Sequence, residues 1–300
     1  MTEERPTVRP VTLARLAELT NICENKRQTT ENVESTLDIS HRRARETILE
    51  ATRIGLLTEE ESGHEEPTTI YTTSRVGNEF LKAVKTENWN RVSSILATCS
   101  PHYRALLETV DGIEPATLER ILERLESDHV HSDYDFNQTT VEVVGDWAER
   151  LGAIQRNAFT GSYYRVSDTG IPTNFPFVVL SVFGELEETT GVNLSQRYLS
   201  IPELREHTCE RLGCKRKQFN DALLDMVSQN VGKLELSGAP MDTGAKEAKF
   251  GIKQIELSTE SGFVSTTQST EQVMSGVEQF GKQYYYLAVH DKDLTFNSET

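Results

Sequence analysis

Residues 40–55, SHRRARETILEATRIG, constrain the fold more than any other stretch. Ala44, Ile48, Ala51 and Gly55 follow one another at steps of 4, 3 and 4, which is one face of an α-helix. Ser40 stands at a good N-cap position, and Gly55 stands where a helix ends. One apolar stripe must be covered by other elements. Leu13, Leu16, Ala17 and Thr20 supply a second stripe, with Ile22 and Cys23 beside it, and Val33 and Leu37 a third within 30–37. Asp38-Ile39-Ser40 then makes a tight turn. Past Gly55 the period changes: Leu56-Leu57-Thr58 begins a strand, 69–72 returns as another, and 74–84 is helical again. The chain is therefore expected to be mainly α with small β-hairpins, an α+β fold.

Helix, helix, turn, helix and a two-stranded hairpin is the order of a winged helix-turn-helix domain. The stretch STLDISHRRARETILEATRIGLL, followed by YTTSRVGNEFLKAV, resembles that DNA-binding superfamily over about 75 residues. Its clearest marks are GLL leading into the hairpin and G-x-x-F-L behind it. The pattern recurs. Leu118, Ile121, Leu122 and Leu125 form an amphipathic helix, and 138–151 forms another with Val141, Val144, Ala148 and Leu151 inward. LGAI (151–154) parallels IGLL, and strands around Thr160-Gly161-Ser162 make a short wing.

In a third copy FPFVVLSVFGEL (175–186) packs as the first helix. Ser200 and Glu203 fit a capping box, and that helix runs to Leu212 and stops at Gly213. CKRKQF then leads into a helix with Phe219, Leu223, Met226 and Val227 inward, and KLELS and IKQIEL supply wing strands. The expected organisation is tandem winged helix-turn-helix domains at 1–86, 87–170 and 171–257. A linker and C-terminal extension follow over 258–300, with YYYLAVH as a closing strand.

Forty-seven acids against 31 bases leave a net charge of -16, with only 11 lysines. Abundant carboxylates, scarce lysine and many threonines resemble the proteins of salt-accumulating archaea. At molar salt the Debye length falls to roughly 3 Å, so local charge decides contact with a polyanion; in ordinary salt the same charge argues against DNA. No apolar run reaches about 18 residues, and the first residues lack the apolar core of a signal peptide. A cytoplasmic protein without membrane contact is expected. Cys23, Cys99, Cys209 and Cys214 are too scattered for a disulfide framework and are expected to be buried thiols.

A winged-helix domain would place its third helix in the major groove. The resemblance therefore makes Arg42, Arg43, Arg45 and Arg53 candidate contacts to phosphate or guanine. They can equally form i, i+4 pairs with Glu46 and Glu50 on a solvated face. The acidic stretch 59–66, with five glutamates, points to solvent or to a basic protein partner. The second wing has Arg156, Tyr163 and Arg165 and no acid between them, which suits a sugar-phosphate backbone; an ordinary hairpin with inward tyrosines is the other reading.

The third copy is the most basic segment. Seven bases against five acids lie between residues 215 and 253, +2 where the remainder carries -18. Lys215, Arg216, Lys217, Lys246, Lys249 and Lys253 are its candidate DNA contacts, the first three at a helix N-terminus that itself favours phosphate. A lysine-coated solvated loop is the competing reading.

His207, Cys209 and Cys214 form H-x-C-x4-C without a CxxC pair, and His129 and His131 read as solvated, so no metal site is expected. Pro240, Asp242, Glu247 and Lys249 only faintly resemble a nuclease motif. No phosphate-cradling glycine loop or nucleophile elbow is present. The expected protein has no cofactor and no catalysis. It binds double-stranded DNA as a transcription regulator or as the recognition subunit of a replication, plasmid or defence assembly. Homodimerisation is allowed. A winged-helix protein-docking subunit without DNA contact is the rival.

Overall fold

The structure, a computed structural model, describes residues 7–61, 68–113, 115–127, 134–167, 170–189, 198–238 and 273–295. The chain is mostly helical, with small antiparallel β-hairpins. Among the described residues its contacts divide it into two compact units, the first ending at Ile154 and the second beginning at Gln155.

In the first unit α1 (Leu13–Ile22), α2 (Thr30–Leu37) and α3 (His41–Arg53) begin at Thr12, Thr29 and Ser40. Each of these side chains accepts a hydrogen bond from the backbone N–H three residues on. The stripes point inward: Leu16, Leu19, Val33, Ala44, Ile48 and Ala51 are buried. Removing each leucine or isoleucine from water contributes about 1.5–3 kcal/mol, which exceeds what helix propensity alone supplies. β1 (Leu57–Glu61) and β2 (Thr69–Thr73) pair antiparallel, Leu57 opposite Thr73. α4 (Arg75–Lys85) follows, capped by Ser74. Gly77 lies against the Leu56 carbonyl, where no Cβ would fit.

Two helices that the apolar stripes above do not include come next. α5 (Trp89–Cys99) and α6 (Pro101–Gly112) meet at Ser100, which caps α6 with Pro101 in its first turn. α7 (Leu118–Ser127) and α8 (Gln138–Arg150) complete the unit. The buried indole of Trp147 on α8 donates to the Val11 carbonyl at 2.9 Å, tying residues 136 apart.

The hairpin of β3 (Ile154–Arg156) and β4 (Tyr163–Arg165) begins at the boundary between the units, and all of it from Gln155 on belongs to the second. α9 (Phe175–Thr189), β5 (Tyr198–Ser200), α10 (Ile201–Leu212), α11 (Arg216–Gln229) and β6 (Leu234–Gly238) follow. β7 (Val277–Gln279) and β8 (Lys282–Val289) close the chain. The sheet order is β5-β8-β6, all antiparallel, with β7 also on β8.

KLELS is thus a strand, and its partner is β8, the YYYLAVH segment; IKQIEL lies outside the described residues. Ser200 is the N-cap of α10, but its side chain makes no capping hydrogen bond, so the expected capping box is absent. α10 ends at Gly213 in the left-handed region (φ 59°). The core of this unit joins Phe175, Val179, Phe183, Leu204, Phe219, Leu223 and Leu287.

Candidate nucleic-acid interface

The buried stripe of α3 turns its opposite face to solvent, and Arg42, Arg43 and Arg45 are exposed there. Arg42 is 87% exposed and gives its Nε to Glu46 at 2.9 Å, one turn on. Arg43 and Arg45 meet no carboxylate among the described residues. Two of the three cations are therefore available to an anion, and the i, i+4 pairing occupies only the first.

Arg53 does different work. Glu50 is fully buried on the inner face of α3, and Arg53 donates its Nε to Glu50 Oε2 at 3.1 Å and its Nη2 to Oε1. The Arg9 backbone N–H also donates to Glu50 Oε2, at 3.1 Å. Releasing Arg53 to a phosphate would strand a buried carboxylate, a cost of several kcal/mol, so Arg53 leaves the contact set. In the acidic stretch 59–66, Glu59 to Glu61 are exposed along β1 and Glu60 pairs with Arg27 at 3.2 Å; 62–66 lie outside the described residues.

In the second unit the β3–β4 hairpin packs down. Tyr163 and Tyr164 are each 3% exposed, and the Arg156 guanidinium lies 5.5 Å from the Tyr163 ring centre. A buried ring cannot stack beside a sugar, so Tyr163 also leaves the contact set. The reason is α10: the Ala158 N–H donates to Glu206 Oε2 at 2.9 Å, and the Asn157 amide donates to Glu210. Arg156 and Arg165 are half-buried at the base of this hairpin.

Arg216 is drawn into the same knot. Its Nε and Nη2 reach the two oxygens of fully buried Glu206 at 2.6 and 2.7 Å, and Nη2 also reaches the Arg156 carbonyl at 2.7 Å. Burial opposes its charge, but Glu206 outweighs that, and the guanidinium is held above its ordinary pKa. Arg216 is thus a structural cation. Lys217 is 85% exposed but pairs with Asp221 at 2.6 Å, and half-buried Lys215 forms the N-cap of α11, its backbone N–H donating to Gln218. Lys246, Lys249 and Lys253 lie outside the described residues, as do Pro240, Asp242, Glu247, His129 and His131.

Beside Glu206 sits Arg205, 1% exposed, which donates to Asn220 and to the carbonyls of Val273 and Ser275. Desolvation pulls its pKa down. A buried Arg205–Glu206–Arg216 cluster was invisible in the sequence, because its partners lie 10 to 70 residues away along the chain. Cys209 and Cys214 are buried with their sulfurs 3.7 Å apart. Burial raises the Cys209 pKa, and the hydrogen bond between the two thiols lowers that of Cys214. Cys23 is buried too, its thiol pushed up to about 12, whereas Cys99 is only partly buried. His207 stacks on Phe159, and no group of three or more metal-ligating side chains occurs among the described residues.

No helix among the described residues is long and apolar enough to cross a membrane. No protein-family model and no curated protein matches the chain.

Proposed function

We propose that this protein binds double-stranded DNA without catalysis, as a regulator or as the recognition subunit of a larger assembly, through the first turns of α3. The observation that carries this reading is the exposure of Arg43 and Arg45, free of carboxylates among the described residues, on a helix fixed from behind by Ala44, Ile48 and Ala51. A rigid helix presenting guanidinium groups suits phosphate and guanine alike. The order of α1 to α3 and the β1–β2 hairpin supports a winged-helix reading of this unit. In the second unit the succession α9, β5, α10, α11, β6 and the β5-β8-β6 sheet support the same reading. High salt, to which the composition is suited, would screen the acidic remainder.

A different use suits the second unit. The outer face of α11 carries Lys217 against exposed Asp221 and Asp225, an acidic balance, while Arg216 is spent on Glu206. That face favours a basic protein surface over phosphate, so docking is the second reading and is assigned to this unit.

The test is fluorescence anisotropy of a labelled duplex across potassium chloride concentrations. Replacing Arg43 and Arg45 together by alanine should weaken binding tenfold or more and flatten the salt slope by about 2, one unit per lost phosphate contact. Lys217→Ala should leave binding unchanged. Unaltered affinity in the double variant would remove α3 from the interface.

A further inference from the structure

The N-terminal ends of α1 and α3 border a cavity of about 600 Å³. Its charged wall is Arg15, Arg42 and Arg43, with Glu46 the only carboxylate lining it among the described residues, so that lining carries +2 in a chain of -16. Pro10, Val11 and Ile39 add apolar surface to the same lining. Arg15 is held by Glu18 at 2.9 Å and reaches the Leu37 carbonyl at 3.5 Å. Arg42 is steadied by Glu46, and Arg43 meets no carboxylate among the described residues. Thr12 and Ser40 already accept hydrogen bonds from the N–H groups of Arg15 and Arg43. The attraction for an anion therefore comes from the guanidinium groups, with the two helix dipoles adding to it.

We propose that this cleft binds a small phosphomonoester of about mononucleotide size. Guanidinium groups pair with phosphate in a bidentate fork. A phosphomonoester carries about -1.5 to -2 at neutral pH, opposite in sign to the lining, whose +2 is lowered to about +1 by Glu18 on Arg15. Its three terminal oxygens leave acceptors for Arg43 and for the remaining N–H groups of Arg15 and Arg42, whereas a carboxylate offers only two. The volume falls within the range of small-molecule sites, roughly 300–1,000 Å³. That leaves room beside the phosphate for an uncharged body against Pro10, Val11 and Ile39. The assignment goes beyond DNA contact and does not rest on it. Arg42 and Arg43 belong to both surfaces, so ligand and duplex compete for them.

The experiment is isothermal titration of the full chain with adenosine 5′-monophosphate, in salt where circular dichroism shows it folded. The expected result is saturable binding with Kd at or below about 1 mM, and adenosine at least about tenfold weaker. Arg43→Ala should weaken binding of the monophosphate about tenfold or more, the value of a charge-assisted hydrogen bond. Arg104→Ala, an exposed arginine on α6 outside the cleft, should bind like the parent. Absence of saturation, equal binding of adenosine and its monophosphate, or parental affinity in both Arg42→Ala and Arg43→Ala overturns the assignment. The titration contains no DNA, so its failure leaves α3 as a duplex contact, and loss of duplex binding alone leaves the cleft standing.

Discussion

Replacing Arg216 by glutamine should unfold the second unit at lower denaturant and leave the first unaltered. Glu206 is fully buried, and its two oxygens receive two hydrogen bonds from Arg216 and one from the Ala158 N–H. The substitution leaves that carboxylate with the single N–H and also removes the hydrogen bond that Arg216 Nη2 gives the Arg156 carbonyl. A buried pair broken from one side loses about 3–5 kcal/mol, the stranded charge being most of it. Neighbouring Arg205, itself buried, offsets part of that loss, so the lower half of the range is expected.

The assay is urea unfolding followed by two probes. Both tryptophans, Trp89 and Trp147, lie in the first unit, so indole emission follows that unit while far-ultraviolet circular dichroism follows both. At about 1–3 kcal/mol per molar urea, the dichroism midpoint of the second unit should drop by about 1–4 M. The tryptophan midpoint should stay in place. Changing Glu206 and Arg216 to glutamine together should recover part of the loss, because the stranded charge is gone. A loss below about 1 kcal/mol, the worth of a solvated pair, or an equal shift in both probes would refute the reasoning.

Gly77→Ala would drive a Cβ onto the Leu56 carbonyl and to 2.8 Å from Thr73 Cγ2, so α4 must move. A loss of about 2 kcal/mol or more is expected in the tryptophan-monitored transition, and a loss below about 0.5 kcal/mol would show that α4 shifts freely. In the second unit the two oxygens of Glu185 receive Arg211 Nη1 and Nη2 at 2.7 and 2.6 Å, and Ser181 adds a hydrogen bond at 3.0 Å. The Arg211 hydrogen bonds, then that of Ser181, hold its pKa at about 2 instead of 4.5. A depressed carboxyl contributes stability above its unfolded pKa and loses it as pH falls through the folded one. Glu185→Gln should therefore shallow the fall of the melting temperature between about pH 4.5 and 2; identical profiles would show that the pair adds nothing.

Much of the local structure was legible in the chain. The stripe Ala44, Ile48, Ala51 between Ser40 and Gly55 marks α3, and the end of α10 at Gly213 follows from a glycine in a left-handed position. Even α5 and α6 carry a signal: Ser100-Pro101 is a cap followed by a first-turn proline, and Val92, Ile95 and Leu96 share one face. These features depend on residues within a turn or two, so sequence order contains them.

The use of each cation was decided elsewhere. Arg43 and Arg53 stand on one helix and read alike, yet one faces solvent and the other closes on a buried glutamate. Arg216 belongs to a run of three bases, and only the fold brings Glu206 and the Ala158 N–H to it. In the same way β6 finds its partner in β8, more than forty residues on. Helical period and capping come from neighbours in sequence, so the chain alone determined where most helices run. Whether a charge is spent inside or offered outside depends on desolvation and on groups distant along the chain, and only tertiary packing sets those.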